Sequence, residues 1–333
     1  MPPTLPSALQ RRYAYNRVSA AARGLRRGFD ALTGRGLSFA PQPLGAHVDP
    51  AALKGYYLDL RHKGRAAAAH ADGFPRRASD GTPARWAIPI SQAALGYWDL
   101  RLEGEDTDDR FLALAQWLVD HGEPGAGGLL WRADHAAPKY GLPAGWPSAL
   151  GQGQGISTLV RAHVLTGEER FLEAARAAFV PMTVDVDEGG VARRLDGHLV
   201  LEEYPSERPC AVLNGWVAAL LGVHELWLAT GDERAKGTFD ESRAGLLALL
   251  PRYDTGWWSR YSLYPHGRPD LAKPNYQRLH PVVLDALALV RPDERLSAMA
   301  RRFEAQVTRV ALARIAAEKL YFRVYREIRP AAA

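Results

Sequence analysis

The chemistry of this chain gathers in Leu201-Glu202-Glu203-Tyr204-Pro205 and, shortly after, in Pro209-Cys210-Ala211-Val212-Leu213-Asn214-Gly215-Trp216. Two carboxylates and a phenol close a short extended run, and an apolar helix begins a few residues later. Carboxylates and phenols are proton-transfer groups, and acid/base groups at the entrance of a buried helix point to a lined cavity. Neighbouring side chains on an extended run leave on opposite faces, so only one of Glu202 and Glu203 is expected to face that cavity. Asn214 sits within an apolar helical stretch, where an amide needs a partner, either a ligand or the preceding loop. Cys210 reads as a small buried hydrophobe in preference to a catalytic thiol.

Other polar motifs are weaker. Gly151-Gln152-Gly153-Gln154-Gly155 superficially resembles a phosphate loop, but it lacks the Lys and Ser/Thr that contact phosphate, and no βαβ unit surrounds it. Its glycines suit the close approach of a ligand or a neighbouring helix, and its glutamines could donate to hydroxyls. Asp185-Val186-Asp187 has the Asp-x-Asp pattern of metal-dependent glycosyl transfer, yet it reads as a solvated turn. His121, His135, His266 and His280 lack metal-ligand spacing. Neither a catalytic metal nor another cofactor is expected.

The elements that must position these residues are helical. An acidic-Arg signature recurs at Asp108-Asp109-Arg110, Glu168-Glu169-Arg170, Asp232-Glu233-Arg234 and Asp293-Glu294-Arg295, at intervals of 60 to 64 residues. Each follows one helical pattern and opens a second, amphipathic one, where acidic residues meet the positive end of the helix dipole. A fixed period of helix pairs signals units that bury their faces against neighbours. The expected fold is mainly α, a complete or incomplete α/α toroid with a small β-hairpin in the loops of one rim. The connections at about 122–147, 182–208 and 251–275 are long and carry Trp131, Trp146, Tyr204, Trp257, Trp258, Tyr261 and Tyr264. Loops of that length in a compact domain are usually functional. The middle one reads as a hairpin turning at Asp196-Gly197, and together the loops are expected to converge on one face. Tyr56 to Leu60 reads as a short strand, Gly64 to Ala84 as loop-like with a helical turn in its Ala-rich residues 66–71, and Glu304 to Ile328 as one last helix.

Composition bounds the function. The chain has 333 residues, is 47% hydrophobic and 24% charged, and holds nine Trp and thirteen Tyr against three Met. Such aromatics pack cores and also stack on sugar faces. A single cysteine excludes an internal disulfide. No apolar run approaches membrane-spanning length, and residues 1–30 lack the apolar stretch of a signal peptide, so a cytoplasmic location is expected. Of the net charge of +5, much lies in residues 1–35, where seven arginines face only Asp30. Val18, Ala22, Leu25, Phe29 and Leu32 share one face there, so residues 1–45 are read as a basic amphipathic helix and linker, and 46–330 as the main domain. The helix docks on the body of the protein or, through residues 7–32, lies peripherally at the inner membrane. No nucleic-acid-binding motif accompanies the charge.

The segments Gly151 to Ala162, Glu202-Glu203-Tyr204-Pro205, Val212-Leu213-Asn214-Gly215 and Leu250 to Gly256 resemble the C-terminal domain of the D-glucuronyl C5-epimerases. These enzymes convert glucuronate to iduronate in heparosan-type polymers. Ile88-Pro89-Ile90-Ser91-Gln92 and Gly145-Trp146 are similar as well, and the order is kept from about residue 85 to about residue 305. The resemblance implies a helical toroid, a catalytic Glu203-Tyr204 pair, and two further active-site tyrosines, Tyr261 and Tyr276. Gln152, Gln154, Trp131, Trp146, Asn214, Arg260 and His280 are the expected substrate-binding side chains. An acidic polysaccharide and a homodimer built on the last helix are the implied partners. The animal enzymes carry an Asp after the second tyrosine and an Arg two residues beyond that Asp; here Ser262 and Tyr264 stand there, and the animal enzymes' β-rich N-terminal part has no counterpart.

Inverting C5 beside a carboxylate requires one group to take a proton and another to return one from the opposite face. Glu203 and Tyr276 are the expected pair, with Tyr204 and Tyr261 as donors or relay acids, and an all-tyrosine pair stays open. Three rivals share the scaffold: a uronate lyase, a glycoside hydrolase using Glu203 and Asp254, and a non-catalytic glycan-binding module.

Overall fold

Apolar residues placed all round a helix bury it on every side, whereas an apolar stripe seats a helix at the surface. Both kinds alternate along this chain. The computed structural model describes residues 42–77 and 81–328, so the basic helix expected over 7–32 lies outside the described residues. After a short α1 (Arg61–Ala68), the inner helices are α2 (Ala87–Leu102), α4 (Ala149–Thr166), α6 (Leu213–Thr230) and α8 (Pro274–Val290). In α4 every residue from Ala149 to Ala162 is buried, and in α6 every residue from Leu213 to Leu226. The outer helices are α3 (Asp108–Asp120), α5 (Glu169–Phe179), α7 (Glu233–Leu249) and α9 (Glu294–Ala305). They bury one stripe only, as Phe171, Leu172, Ala175 and Phe179 do in α5. The inner helices pack in the order α2, α4, α6, α8, each with its outer partner behind it. That order is compatible with an incomplete α/α toroid. Among the described residues no helix is long and apolar enough to cross a membrane.

The recurrent acidic-Arg signature opens each outer helix. Asp232 and Asp293 cap α7 and α9 by accepting from the amides of Arg234 and Arg295, at 2.8 and 3.0 Å, and the same arginines fold their guanidinium groups back onto them. Such caps contribute about 1 kcal/mol each; the exposed ion pairs add little.

The inner wall depends on glycine. A β-carbon on Gly222 of α6 would collide with the carbonyl of Gly153 on α4, and one on Gly153 would lie 2.6 Å from the Ala219 Cα. The two helices therefore meet backbone to backbone. Further along the same pair, Arg161 and Glu225 form a fully buried bidentate ion pair at 2.6 and 2.8 Å, and the guanidinium also donates to the Ser157 and Gly55 carbonyls. Breaking one partner of such a pair costs about 3–5 kcal/mol, because the other is left charged in the core.

Three local expectations change. Tyr56 to Leu60 forms no strand: Tyr56 and Tyr57 are core side chains, and the Tyr56 amide donates to Asp99 rather than to a ladder partner. The helical turn expected at 66–71 is instead the end of a longer helix, α1, which starts at Arg61 and stops at Ala68. The last helix is broken after Ala305, and α10 (Arg309–Ile328) starts anew. At the break Gln306 turns its amide onto Asp254, and the Thr308 hydroxyl takes the amide of Ala311 as a fresh cap.

Two glycines with opposite surroundings test this account. Gly222→Ala should lower unfolding free energy by about 2 kcal/mol or more through overpacking. Gly237 is exposed on α7 with nothing within 4 Å of its would-be β-carbon, so Gly237→Ala should stabilise by roughly 0.5–1 kcal/mol. Urea titration of both variants checks the pair of signs.

Candidate active site

The three long connections meet at one face. Two of the hairpins there were not evident in the sequence: β1 (Glu123–Gly125) with β2 (Gly128–Leu130), and β5 (Arg260–Ser262) with β6 (Asp270–Leu271). The expected middle hairpin pairs β3 (Ala192–Leu195) with β4 (His198–Leu201), and Asp196 and Gly197 both take positive φ at its turn, 50° and 82°. β4 delivers Glu202 and Glu203 to the mouth of the helical layers.

The two glutamates have separate fates. Glu202 is fully buried and accepts from the amides of Cys210 and Ala211, at 3.0 and 2.8 Å, closing the loop that leads into α6. That segment is pinned again by Tyr253, whose phenol donates to the Ala211 carbonyl at 2.6 Å, and by the Leu263 amide, which donates to the Cys210 carbonyl at 2.8 Å. Ala211 is thereby held at φ 43°, a left-handed conformation that alanine rarely adopts. Cys210 is buried beside Ser206 and its thiol is pushed well above the ordinary range by burial, which makes it a packing residue.

Glu203 turns the other way. Its carboxylate packs on the first turn of α6, where a β-carbon at Gly215 would clash with Oε2 and lie 2.7 Å from the Glu203 Cβ. Tyr261 donates to Oε1 at 3.3 Å, and Oε2 has no hydrogen-bond partner. Burial raises the Glu203 carboxyl to about 7, against the opposing influence of Tyr204, Tyr261 and the Lys139 charge.

Tyr204, Tyr261 and Tyr276 line a cavity of about 330 Å³ in front of Glu203. The Tyr261 and Tyr276 rings meet edge-on at 4.7 Å, and Tyr204 packs between Tyr140 and Trp146 at 4.4 and 5.0 Å. Burial and then the Glu203 charge push the Tyr276 phenol up to about 12 and Tyr204 well above its ordinary value, with burial likewise first for Tyr261. At neutral pH these phenols are proton donors, and Glu203 is the group of the cluster poised to take a proton. His135, Lys139, Tyr140, Asp270 and Lys273 also line the cavity. The sequence reading did not single out Lys139 or Asp270. They lie 131 residues apart and meet at 2.6 Å, a pairing that no local pattern announces.

The four expected catalytic residues thus come together. The expected binding residues do so only in part. Gln152 is fully buried, with its amide bonded to the Leu129 and Ala178 carbonyls and the Trp131 amide. Gln154 links Gln92 to Tyr56. Trp131 donates to the Leu118 carbonyl and lies against Gly155. These side chains build the wall behind the site, so the glycines of that motif serve helix and ring packing. Trp146 supports Tyr204 from behind, bonded to the His135 carbonyl. His280 is buried against Ser259 at 2.7 Å, where it and Gln277 hold the base of the β5–β6 hairpin, and burial depresses it to about 3. Arg260 stands on β5, half-buried, with its Nε unpartnered; Asn214 is nearly buried beside Gly215, with its Oδ1 unpartnered. Neither borders the cavity. Asp185 caps its own turn, bonding the Asp187 amide.

Comparison with known proteins points the same way. The family described as D-glucuronyl C5-epimerase C-terminus matches residues 127–305. The D-glucuronyl C5-epimerase of Caenorhabditis elegans is 34% identical over 215 residues, 60% of this chain and 35% of that protein. An uncharacterised protein of Methanocaldococcus jannaschii is 33% identical over 156 residues, 46% of this chain and 49% of that protein. The match spans about a third to a half of the length of these curated relatives.

The buried carboxylate sets a stability signature. A carboxyl raised from 4.5 to about 7 is destabilising once ionised: below the unfolded value both states are protonated, and as pH rises through the folded value the penalty becomes complete. Glu203→Gln should therefore be more stable than the parent above pH 7, by up to about 3 kcal/mol, with the advantage vanishing near pH 4. Thermal melts of both proteins across that range decide it.

Proposed function

Because the chain belongs to the D-glucuronyl C5-epimerase family through its C-terminal domain, we propose that it inverts C5 of D-glucuronate residues in a heparosan-like or related acidic polysaccharide. The observation that carries this reading is a buried carboxylate poised near neutrality and bonded to a phenol that lines a cavity. The C5 hydrogen lies beside a carboxylate, so its removal builds charge on an anionic group and needs a base near its working range. Glu203 stands one side chain behind the cavity surface, which favours a relay. Tyr261 takes the C5 proton while passing its own to Glu203 Oε1, and Tyr276 returns a proton to the opposite face. Tyr204 donates to the developing negative charge.

The rivals fit less well. A hydrolase through Glu203 and Asp254 lacks its second carboxylate, because Asp254 is bound by Arg302 and Gln306 and does not border the cavity. A glycan-binding module has no use for a carboxylate raised by burial. A lyase shares the first step and differs in expelling the group on C4. The homodimer remains part of this proposal; the broken C-terminal helix supports it less well than a continuous one.

Incubation with a glucuronate polymer in deuterated water, read by NMR, separates these outcomes. Epimerisation gives deuterium at C5 and iduronate at unchanged chain length. A lyase gives unsaturated ends that absorb in the ultraviolet, and a hydrolase gives shorter saturated chains. Exchange on no glucuronate polymer at all would refute the proposal. Glu203→Gln and Tyr276→Phe should each lower the exchange rate by roughly 10²–10⁴. The rate should also fall as pH drops below about 7, where Glu203 becomes protonated.

A further inference from the structure

The cavity wall holds a cation that the relay does not use. Lys139 donates to Asp270 Oδ2 at 2.6 Å, and its ammonium lies 4.9 Å from the Tyr140 ring centre and 5.1 Å from that of Tyr261. Asp270 is only 8% exposed, and the same oxygen accepts from the Ser262 hydroxyl at 2.6 Å and the Tyr140 phenol at 3.4 Å. A carboxylate held by three donors is a fixed point. The lysine it anchors is about a third exposed and borders the cavity. An ammonium has three protons to donate, and Asp270 takes one.

We propose that Lys139 is the cation that receives the carboxylate of a uronate sugar, and that Asp270, set by Ser262 and Tyr140, positions it. The inference rests on the epimerase reading and adds the substrate-recognition group to it. Lys139 lies beside Tyr261, the phenol bonded to Glu203, so a carboxylate seated on its ammonium brings the attached carbon toward the relay. As that carbon loses its proton, charge moves onto the carboxylate oxygens. A preorganised cation there stabilises the transition state more than the ground state. Asp270 keeps the long side chain from swinging into solvent, and the two ring faces hold the charge laterally.

The test measures binding by calorimetry of a heparosan hexasaccharide and of the same oligosaccharide with its carboxylates reduced to alcohols. Wild type should prefer the carboxylate form. Lys139→Met should weaken that form roughly tenfold to a hundredfold and leave the reduced one unchanged, while Lys139→Arg restores most of the preference. Asp270→Asn, with the ammonium in place but unaimed, should lose part of the preference and raise KM more than it lowers kcat. Equal binding of the two oligosaccharides by wild type, or a Lys139→Met variant that keeps the preference, overturns the assignment. C5 exchange measured alongside keeps the two readings apart. A carboxylate preference that depends on Lys139 without any exchange refutes the epimerase alone, and normal exchange by Lys139→Met refutes only the role given to Lys139.

Discussion

Two adjacent carboxylates buried on opposite sides of one strand end are the constraint on which this site depends. Burying a carboxyl without partners is costly, and each glutamate meets that cost differently. Glu202 is bound by two backbone amides and fastens the loop that leads into α6. Glu203 keeps one oxygen unpartnered and rests on the first turn of that helix, where only glycine leaves it room. The structural carboxylate fixes the position of the chemical one. Without the clasp at Glu202, Cys210 and Ala211 would be held only through their carbonyls, by Leu263 and Tyr253, and the loop that seats Glu203 against α6 would loosen.

Behind this arrangement stands a scaffold whose rigidity comes from contact between backbones. Gly153 and Gly222 let α4 and α6 meet backbone to backbone where a β-carbon on either would collide, and the buried Arg161–Glu225 pair ties the same helices to the loop at Gly55. Buried polar networks carry this order outward. Gln152 joins the β1–β2 hairpin to α4 and α5, and Gln277 with His280 holds the base of the β5–β6 hairpin to α8. Each cavity-lining loop is therefore anchored by a side chain that never reaches the cavity. Polar groups bonded to one another in a low-dielectric interior favour one arrangement among many, and proton transfer needs that definition.

The sequence carried much of this because periodicity and turn chemistry are local. The acidic-Arg signature marked the start of every outer helix, Asp196-Gly197 marked the hairpin, and the aromatic content of the long connections marked the converging face. Adjacent glutamates on an extended run implied one inward and one outward carboxylate, and the structure buries both on different sides. Where the reading was mistaken, the deciding partner lies far away in the chain. Gln152 and Gln154 look like ligand groups because a glutamine's partners are invisible without tertiary contacts. Lys139 and Asp270 look like ordinary loop charges for the same reason. The last helix read as continuous because its residues favour helix, but Gln306 finds better partners in Asp254 and Gln277, and the tertiary contact overrides propensity.

The electrostatics of the cluster follow from its composition. Phenols beside a buried carboxylate are pushed upward, by burial first and then by its charge, while the carboxylate is pushed upward by burial alone. Proton affinities that start more than five units apart in water thus do not simply converge, since each ionisation penalises the other. Charge supplied from outside the pair can stabilise the anion at either site without closing that gap. Lys139 already lowers the Glu203 carboxyl and sits over Tyr261, so it favours the anionic form of whichever partner holds the negative charge. A relay between a phenol and a carboxylate is workable when one cation faces both, because the charge can then move between them without leaving its counter-ion. The same ammonium faces the cavity, where an anionic substrate would bring its own charge. Asp270 keeps the ammonium in that shared position.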